Sequence, residues 1–524
     1  MGIFQKQARF KILFVTSEEA PFAKVGGLGE VMFSLPRALT SLGHDARVMM
    51  PFYGGIDSAY HASSPYSHRG LAVPTDPSLG GMMLSCNVRK REMTNDADSP
   101  VTTYFLENRE YYELRSNVYG YADDRIRFAL LSRGCLEFLN ASREWMPDII
   151  VATDWITGYL PNFLKTDYRD YRRLGHIATL FSIHNLASHG TIRPQRFLQE
   201  TERDDGYGPI PDFFGERMSF VNPMRRGIIH ADLINTVSPT YAREITTEEF
   251  GEGLDALLRE RQGRLFGVLN GIDYETNDPA YDVNLAKNFT IKTLSLRDEN
   301  KEALQRRFGL PQRADAFVMG VVSRLVQQKG FELFRETLGS FLSTTRAQLV
   351  VVGTGDTEIM TMFQEFEKQF PDQVRAHLQF ETDIQHLVFG GADVIIIPSK
   401  FEPSGLTQME AMRFGAVPVA RRVGGLADTI EEYQPEENKG TGFLFEDFEP
   451  HELLIAMTRA FTNWQHKKAW GDLQKRVMEK DFSWRSSAEE YVKLFVRALK
   501  IRAEEMKNIK NGVSKNTEHE GMPT

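Results

Sequence analysis

Short apolar segments alternate with longer helix-compatible segments along the whole chain. The apolar segments are rich in valine and isoleucine and often lack polar alternation, which is typical of parallel strands covered on both faces of a sheet. The predicted strands end at Thr16 or span residues 45–52, 148–155, 177–185, 231–238, 316–325, 347–355 and 392–399. This alternation predicts an α/β fold with open parallel sheets.

The series of predicted strands restarts near the middle of the chain. One set ends near Ser238, a second begins near Val268 or Phe317, and the stretch 273–301 is polar. A boundary near Asn270 predicts two doubly wound domains with a ligand cleft at the carboxyl ends of their strands. The expected division is an N-terminal domain (1–270), a C-terminal domain (271–482), a C-terminal helix packing back toward the N-terminal domain (483–506) and a disordered tail (507–524).

Composition narrows the class of protein. Of the 524 residues, 41% are hydrophobic and 25% are charged, which is the usage of a globular protein with a sizeable core. The net charge of −9 argues against a nucleic-acid partner, which would favour an excess of lysine and arginine. Two cysteines exclude a disulfide scaffold and a four-thiolate zinc site, and predict free thiols in a reducing compartment.

The cellular location follows from the apolar segments. The run Ile12–Val15 is too short for the core of a signal peptide, and the sequence has no apolar stretch of about 18 residues that could span a bilayer. We therefore expect a cytoplasmic protein without a membrane partner. A plastid location would require that a transit peptide had been removed. The sequence carries no signal for an oligomeric state.

A glycine-rich segment, KVGGLGEV at residues 24–31, follows the first predicted strand and precedes a helix-compatible stretch. Gly26 and Gly27 let the backbone approach a ligand closely, and free N–H groups at a helix start suit an anion. Lys24 would add a positive charge. The pattern is neither GxGxxG nor the P-loop, and a plain glycine-rich turn is the alternative.

A basic segment, SRLVQQKG at residues 323–330, follows a buried-type strand in the second half. Arg324 and Lys329 would lie at the carboxyl end of that strand, and arginine can hold a phosphate through two parallel hydrogen bonds. Two cations facing a diphosphate would stabilise the negative charge of a leaving group. A solvated basic turn is the alternative.

An acidic segment, FEPSGLTQMEAM at residues 401–412, follows the strand ADVIIIPS. We expect Glu402 in the loop before a helix that carries Glu410, with the turn Pro403–Gly405 exposing backbone N–H groups at the helix start. Carboxylates suit sugar hydroxyls and N–H groups suit phosphate. The alternative is a pair of surface glutamates.

A histidine–asparagine pair, His184 and Asn185, follows another buried-type strand. A lone histidine at a strand end is more often structural than catalytic. The adjacent asparagine favours two polar groups that face a ligand.

The metal-binding signals are weak. Asp96 and Asp98 form an Asp-x-Asp pair, but the surrounding residues are typical of a surface loop. The sequence contains neither an HExxH motif nor an EF-hand loop. We predict no required metal and no other cofactor.

Together, these segments resemble the bacterial glycogen synthase and plant starch synthase family of retaining glucosyltransferases. The resemblance runs from KILFVTSEEAPFAKVGGLGEV to about Phe482 and includes residues 235–245, 268–282 and 421–430. It implies the GT-B architecture, in which two Rossmann-like domains face each other across a deep interdomain cleft. It also implies transfer of glucose from ADP-glucose to the non-reducing 4-OH of an α-1,4-glucan, so the partners are a nucleotide-sugar donor and an α-glucan acceptor.

The resemblance further implies roles for individual residues. Arg324 and Lys329 match the family's diphosphate-binding pair. His184 matches the residue near the C6 hydroxyl of the sugar and the reacting centre, and Glu402 matches the acidic residue beside the donor glucose. The implied donor-binding set is Lys24, Gly26, Gly27, Asn185, Ser404, Gly405, Leu406, Thr407 and Glu410. The implied acceptor side is Glu30, Asp154 and Trp155.

A few positions depart from the family pattern. Where the family usually reads KTGGLADV, this chain has Glu30 at the acidic position. The family's His-Asp-Trp-His is replaced by Thr-Asp-Trp-Ile over residues 153–156. The family's HNLAYQG is replaced by HNLASHG, with Ser188 and His189. The first two changes lie on the expected acceptor side. Glu410 stands where many bacterial glycogen synthases carry tyrosine, and it matches a ribose-binding glutamate of other GT-B transferases.

Other functions are consistent with these motifs. One is a GT-B transferase that uses UDP-glucose or a small acceptor, and a less favoured one is a phosphorylase with pyridoxal phosphate. Another is a catalytically silent glucan-binding paralogue. The presence of Lys24, Arg324, Lys329 and Glu402 favours catalysis, because a silent protein would have little use for a phosphate clamp.

Overall fold

A computed structural model describes residues 9–76, 81–93, 100–188, 203–379 and 381–510. The chain divides into two compact units. The first unit comprises the chain up to Thr236, the segment Ile245–Phe266 and the chain from Ala488 onward, and the second comprises Val237–Glu244 and Gly267–Ser487. This division differs from a single cut near Asn270, since Val237–Glu244 belongs to the second unit.

The described residues form two sheets, and the first of them has nine strands. They are β1 (Lys11–Val15), β2 (Asp45–Pro51), β3 (Tyr66–Pro74), β4 (Met83–Met93), β5 (Val101–Glu107), β6 (Ile149–Thr153), β7 (Ala178–Ile183), β8 (Leu233–Thr236) and β9 (Leu265–Gly267). Their order is β3-β4-β5-β2-β1-β6-β7-β8-β9. The run from β5 to β8 is parallel, whereas β4 is antiparallel to both of its neighbours.

Helices connect these strands. They span Gly27–Ser41, Ser58–Ser63, Asp124–Ala141, Asp154–Thr157, Tyr159–Lys165, Pro223–His230 and Asp255–Glu260, with shorter helical turns at Arg109–Glu113, Glu216–Phe220 and Gln262–Arg264. The start of the helix Pro223–His230 is fixed by its first residues. The side chain of Asn222 accepts a hydrogen bond from the N–H of Arg225, and proline fills the first turn, where no N–H is needed.

The C-terminal helix spans Trp484–Lys510, and from Ala488 onward it belongs to the first unit. Asn235 donates a hydrogen bond to the hydroxyl of Tyr491, and the guanidinium of Arg502 donates to the carbonyl of Gly175. The helix continues beyond residue 506, so the tail predicted from residue 507 begins too early. Residues 511–524 lie outside the described residues.

In the part of the chain that the structure describes, the second sheet has six strands, all parallel. They are β10 (Val318–Val322), β11 (Gln348–Val352), β12 (Val374–His377), β13 (Val394–Ile397), β14 (Val417–Arg421) and β15 (Phe443–Phe445), in the order β12-β11-β10-β13-β14-β15. Its helices span Pro239–Glu244, Arg297–Arg307, Phe334–Thr344, Thr357–Gln369, Thr382–Gly391, Thr407–Arg413, Gly424–Thr429, Pro450–Trp464 and Lys467–Glu479, with shorter turns at Ile291–Leu296, Gln327–Lys329 and Phe331–Leu333.

The predicted α/β class with two doubly wound sheets is confirmed. Each predicted strand is present, as β1, β2, β6, β7, β8, β10, β11 or β13. Strands such as β6 and β13 are buried along their whole length, as expected for Val- and Ile-rich strands covered on both faces. Among the described helices, none is long and apolar enough to cross a membrane.

Strand order identifies where each sheet should bind a ligand. In the first sheet the direction of winding reverses between β1 and β6, and in the second it reverses between β10 and β13. Ligands of doubly wound folds bind beside the carboxyl ends of the strands at such a reversal. The loops that follow β1, β6, β10 and β13 are therefore the first places to look.

Candidate active site

The loop after β1 is held by a glutamate that the sequence analysis did not single out. One carboxylate oxygen of Glu18 accepts hydrogen bonds from the N–H groups of Val25 (2.6 Å) and Gly26 (2.9 Å). The other oxygen accepts a hydrogen bond of 2.5 Å from the hydroxyl of Tyr119. The N–H of Gly26, the residue before the helix start at Gly27, is therefore bonded to Glu18.

Lys24 and Glu30 form an ion pair in the same region, with half of the Lys24 side chain exposed. The helix begins at Gly27. A Cβ at Gly29 would lie 3.2 Å from Cγ of Lys24, which leaves little room for a side chain beneath the lysine. Lys24 is therefore placed at the helix start, as expected, but with a carboxylate beside its ammonium.

Asp154 directly follows β6 and has a left-handed backbone conformation, with φ of 49°. Its Oδ1 accepts hydrogen bonds from the N–H groups of His184 (2.7 Å) and Asn185 (3.3 Å). Burial raises the pKa of Asp154 to about 7, although these two hydrogen bonds oppose the shift. A strained residue of this kind persists where its surroundings fix it, and here it holds the loop after β7 in place.

His184 is partly buried, and its Nε2 lies 3.2 Å from the hydroxyl of Ser182. Burial lowers the pKa of His184 to about 4. The imidazole is therefore neutral near pH 7 and can exchange hydrogen bonds without carrying charge. The ring of Trp155 is buried edge-to-face against Phe128, and its place on the acceptor side stays a prediction.

The loop after β10 carries the two predicted cations of the second unit. Arg324 is exposed, and its guanidinium makes no hydrogen bond or ion pair within the part of the chain that the structure describes. The ammonium of Lys329 lies 2.5 Å from Oε2 of Glu402. Gly330 ends this turn at φ of 71°, and a Cβ there would overlap the carbonyl oxygen of Pro398.

Glu402 lies in the loop after β13, as predicted, and is nearly buried. Besides the ion pair, its Oε2 accepts a hydrogen bond of 2.9 Å from the hydroxyl of Ser399. The two groups expected for diphosphate and for glucose are thus bonded to each other. Both line a pocket, together with Val322, Ser323, Phe331, Ile396, Ile397, Pro398, Ser399, Gly405, Leu406, Thr407 and Gln408.

The turn before the helix Thr407–Arg413 supplies hydrogen-bond donors to this pocket. Gly405 adopts φ of 63°, which glycine tolerates best. Within the described ranges, the N–H groups of Gly405, Leu406 and Thr407 donate no hydrogen bond to the protein. These donors are available to a ligand, as the sequence predicted.

Two further predicted residues lie near this turn. The hydroxyl of Ser404 accepts a hydrogen bond from Asn270 (3.2 Å), and Glu410 accepts one from Gln385 (2.8 Å). Asn270 and Gln385 were not identified as site residues. Asn270 lies within the segment 268–282 that carries part of the resemblance, whereas no motif beside Gln385 indicated its role.

The remaining predicted positions concern metals and the acceptor side. Asp96, Asp98 and His189 lie outside the described residues. Across the described ranges, no group of three or more His, Cys, Asp or Glu side chains could hold a metal ion. The absence of a required metal stays a prediction.

Comparison with known proteins decides the family. Residues 11–260 match the family model of the starch synthase catalytic domain, and residues 303–477 match that of glycosyl transferases group 1. A glycogen synthase from Gloeobacter violaceus is 40% identical over 486 residues, covering 93% of this chain and 98% of that protein. The chain belongs to the glycogen synthase family. The predicted family and glycosyltransferase activity are therefore confirmed.

Other relatives support the same assignment. A glycogen synthase from Geotalea daltonii is 40% identical over 492 residues, covering 93% of this chain and 98% of that protein. Among solved structures, the catalytic domain of starch synthase IV from Arabidopsis thaliana, bound to ADP and acarbose, matches with a TM-score of 0.79 and 31% identity, covering 94% of this chain and 100% of that one. A sucrose-phosphate synthase from Thermosynechococcus elongatus, 17% identical with a TM-score of 0.54, shares only the fold, over 96% of this chain and 100% of that one.

Proposed function

We propose that this member of the glycogen synthase family transfers glucose from ADP-glucose to the non-reducing 4-OH of an α-1,4-glucan, with retention at C1. The observation that carries the proposal is the pocket between the loops after β10 and β13. There Lys329 and Glu402 lie beside free N–H groups, and the exposed Arg324 is on the same loop as Lys329. The likeness to a starch synthase solved with ADP and acarbose supports both the donor and the acceptor class.

The two cations would bind the diphosphate of the donor. Arg324 has no competing partner among the described residues, so its planar guanidinium is available for two parallel hydrogen bonds to phosphate. Lys329 adds a second positive charge at the pocket wall. The free N–H groups of Gly405, Leu406 and Thr407 would donate to phosphate or sugar oxygens, beside the hydroxyl of Ser404. Glu410 would accept hydrogen bonds from the ribose.

The chemistry is an exchange of two bonds at C1 of the glucose. The acceptor 4-OH forms a bond to C1 on the face from which the diphosphate leaves, and the C1–O bond to phosphate breaks. The leaving phosphate takes the proton of the attacking hydroxyl. Arg324 and Lys329 stabilise the charge that develops on the leaving group, and Glu402 orients the sugar through its hydroxyls.

Residues of the first unit have proposed roles of their own. The neutral imidazole of His184 would hydrogen-bond the sugar, with Asn185 beside it. Asp154 would hold the backbone of both, since its Oδ1 accepts their two N–H groups. Lys24 and the Gly26–Gly27 turn would approach the donor. Glu30, Asp154 and Trp155 remain the proposed acceptor-side set, with Trp155 acting through its packing.

The proposal assigns no metal or other cofactor to the reaction, because Arg324 and Lys329 can supply the charge stabilisation that a divalent cation supplies in other transferases. It places the enzyme in the cytoplasm. The two cysteines, Cys86 and Cys135, are free and buried, which suits a reducing compartment.

The test is a set of initial rates with radiolabelled donors. ADP-glucose and UDP-glucose are compared side by side with glycogen as primer, and each is also offered with fructose 6-phosphate and glucose 1-phosphate as small acceptors. We expect label from ADP-glucose in precipitated glucan, released again by an exo-acting α-1,4-glucan hydrolase. Faster use of UDP-glucose or a small acceptor would overturn the donor or acceptor assignment, and no transfer at all would indicate a silent paralogue.

A further inference from the structure

The segment Val237–Glu244 is a short piece of chain that packs within the second unit against the helix Gly424–Thr429. Asp428 accepts two hydrogen bonds from Thr240, one from its N–H (2.8 Å) and one from its hydroxyl (2.6 Å). At the other end, Oε1 of Glu244 accepts a hydrogen bond of 2.9 Å from the N–H of Gly424. The segment therefore contacts the helix near both ends of the helix, at Gly424 and at Asp428.

The same helix start supports the loop that carries Glu402. The N–H of Gly425 donates a hydrogen bond of 3.0 Å to the carbonyl of Glu402. A Cβ at Gly424 would overlap the carbonyl oxygen of Glu402, and one at Gly425 would overlap that of Ser404. Because no side chain fits between them, any shift of the two glycines moves the loop directly.

A third link ties the far end of the loop to the helix. The hydroxyl of Thr429 donates to the carbonyl of Gly425 (2.6 Å) and accepts a hydrogen bond from the side chain of Gln408 (3.0 Å). Gln408 also donates to the carbonyl of Gly405 (2.8 Å). The loop from Glu402 to Gly405 is thus held at both ends by one six-residue helix.

We infer that Glu244 is a positioning residue for the donor site, acting through Gly424 and Gly425 on the loop Glu402–Gly405. The inference rests on the proposed role of that loop in donor binding. The carboxylate of Glu244 accepts its hydrogen bond from Gly424, which is not one of the residues that line the pocket. This N–H of Gly424 is the first of the helix. The backbone of Gly424 and Gly425 in turn positions the carbonyl groups of Glu402 and Ser404.

The experiment compares Glu244→Ala, Glu244→Gln and, as a matched control, Glu249→Ala, which removes an exposed glutamate a few residues further along. Binding of ADP is measured by calorimetry, and the donor KM and kcat are measured with glycogen as primer. Loss of the acceptor for a buried N–H should raise the ADP Kd and the donor KM about tenfold in Glu244→Ala. Glu244→Gln keeps a carbonyl oxygen for that N–H and should stay within about twofold of the parent.

A merely structural role would lower the unfolding midpoint and the active fraction while leaving Kd and KM unchanged. An ADP Kd within twofold of the parent in Glu244→Ala, or a Gln variant as impaired as the Ala variant, overturns the inference. Because ADP binding is read without turnover, a parent that binds ADP but transfers no glucose refutes the proposed function and leaves this comparison intact.

A second substitution keeps the test decisive if Glu244→Ala does not fold. Gly425→Ala places a methyl group against the Ser404 carbonyl, whereas Gly471→Ala adds one where nothing lies within 4 Å. We expect a weaker ADP Kd, by about tenfold, in the first variant and parental binding in the second. Parental ADP binding by Gly425→Ala would also overturn the inference.

Discussion

Arg324→Ala separates substrate binding from folding more cleanly than any other change to the site. The guanidinium is exposed and makes no bond within the described chain, so its removal should change the free energy of unfolding by no more than about 0.5 kcal/mol. Two charge-assisted hydrogen bonds to phosphate contribute about 1.5–3 kcal/mol each. Their loss in the transition state should lower kcat/KM for ADP-glucose by about 10²- to 10⁴-fold.

The assay is the initial rate of label transfer to glycogen over a range of ADP-glucose concentrations, with urea denaturation of the same samples. Arg324→Lys keeps the charge but loses the planar fork, so it should recover only part of the rate. Arg306→Ala removes another exposed arginine and serves as the control. A kcat/KM within threefold of the parent for a folded Arg324→Ala enzyme would refute the phosphate-binding assignment.

Other predictions follow from the same contacts. Lys329→Ala leaves the nearly buried carboxylate of Glu402 without its counter-ion, so transfer should be lost and the free energy of unfolding should fall by about 1–3 kcal/mol in urea denaturation; an unchanged midpoint would argue against this ion pair. Burial raises the pKa of Glu19 to about 8, above its ordinary value of 4.5, so the native state holds a proton that the unfolded chain releases, and stability falls as pH rises through that window. The melting temperature of Glu19→Gln relative to the parent should therefore increase between pH 5 and pH 8. The same difference in melting temperature at pH 5 and at pH 8 would contradict the raised pKa of Glu19. Gly330→Ala should lower the unfolding midpoint more than Gly309→Ala, since both have positive φ but only Gly330 faces a backbone carbonyl; equal losses would count against the steric explanation.

Much of the fold could be predicted because burial on both faces leaves a direct trace in the sequence. Strands β1, β6, β10 and β13 consist almost entirely of apolar residues, and at least four-fifths of the positions in each strand are buried. Strand β4 left no such trace, because it is antiparallel to both neighbours and its buried positions alternate with partly exposed ones. Strand β15 is three residues long, which is too short for a periodic pattern.

The site was predictable residue by residue but not as an arrangement. Arg324, Lys329 and Glu402 could each be placed at the carboxyl end of a strand. That β10 and β13 are neighbours, so that Lys329 meets Glu402, depends on sheet order, which no local pattern encodes. The position of Glu244 could not be predicted either, because nothing in the sequence around it indicates that its segment packs beside Gly424.

We propose that the second unit binds a nucleoside diphosphate through paired cations without a bound metal. Calorimetric titration of the parent protein with ADP and with AMP, in the presence of EDTA, tests it most directly. We predict that ADP binds at least about tenfold more tightly than AMP, and that Arg324→Ala abolishes most of this preference. Equal affinity for the two nucleotides, or an ADP preference that appears only when magnesium is added, would contradict the claim.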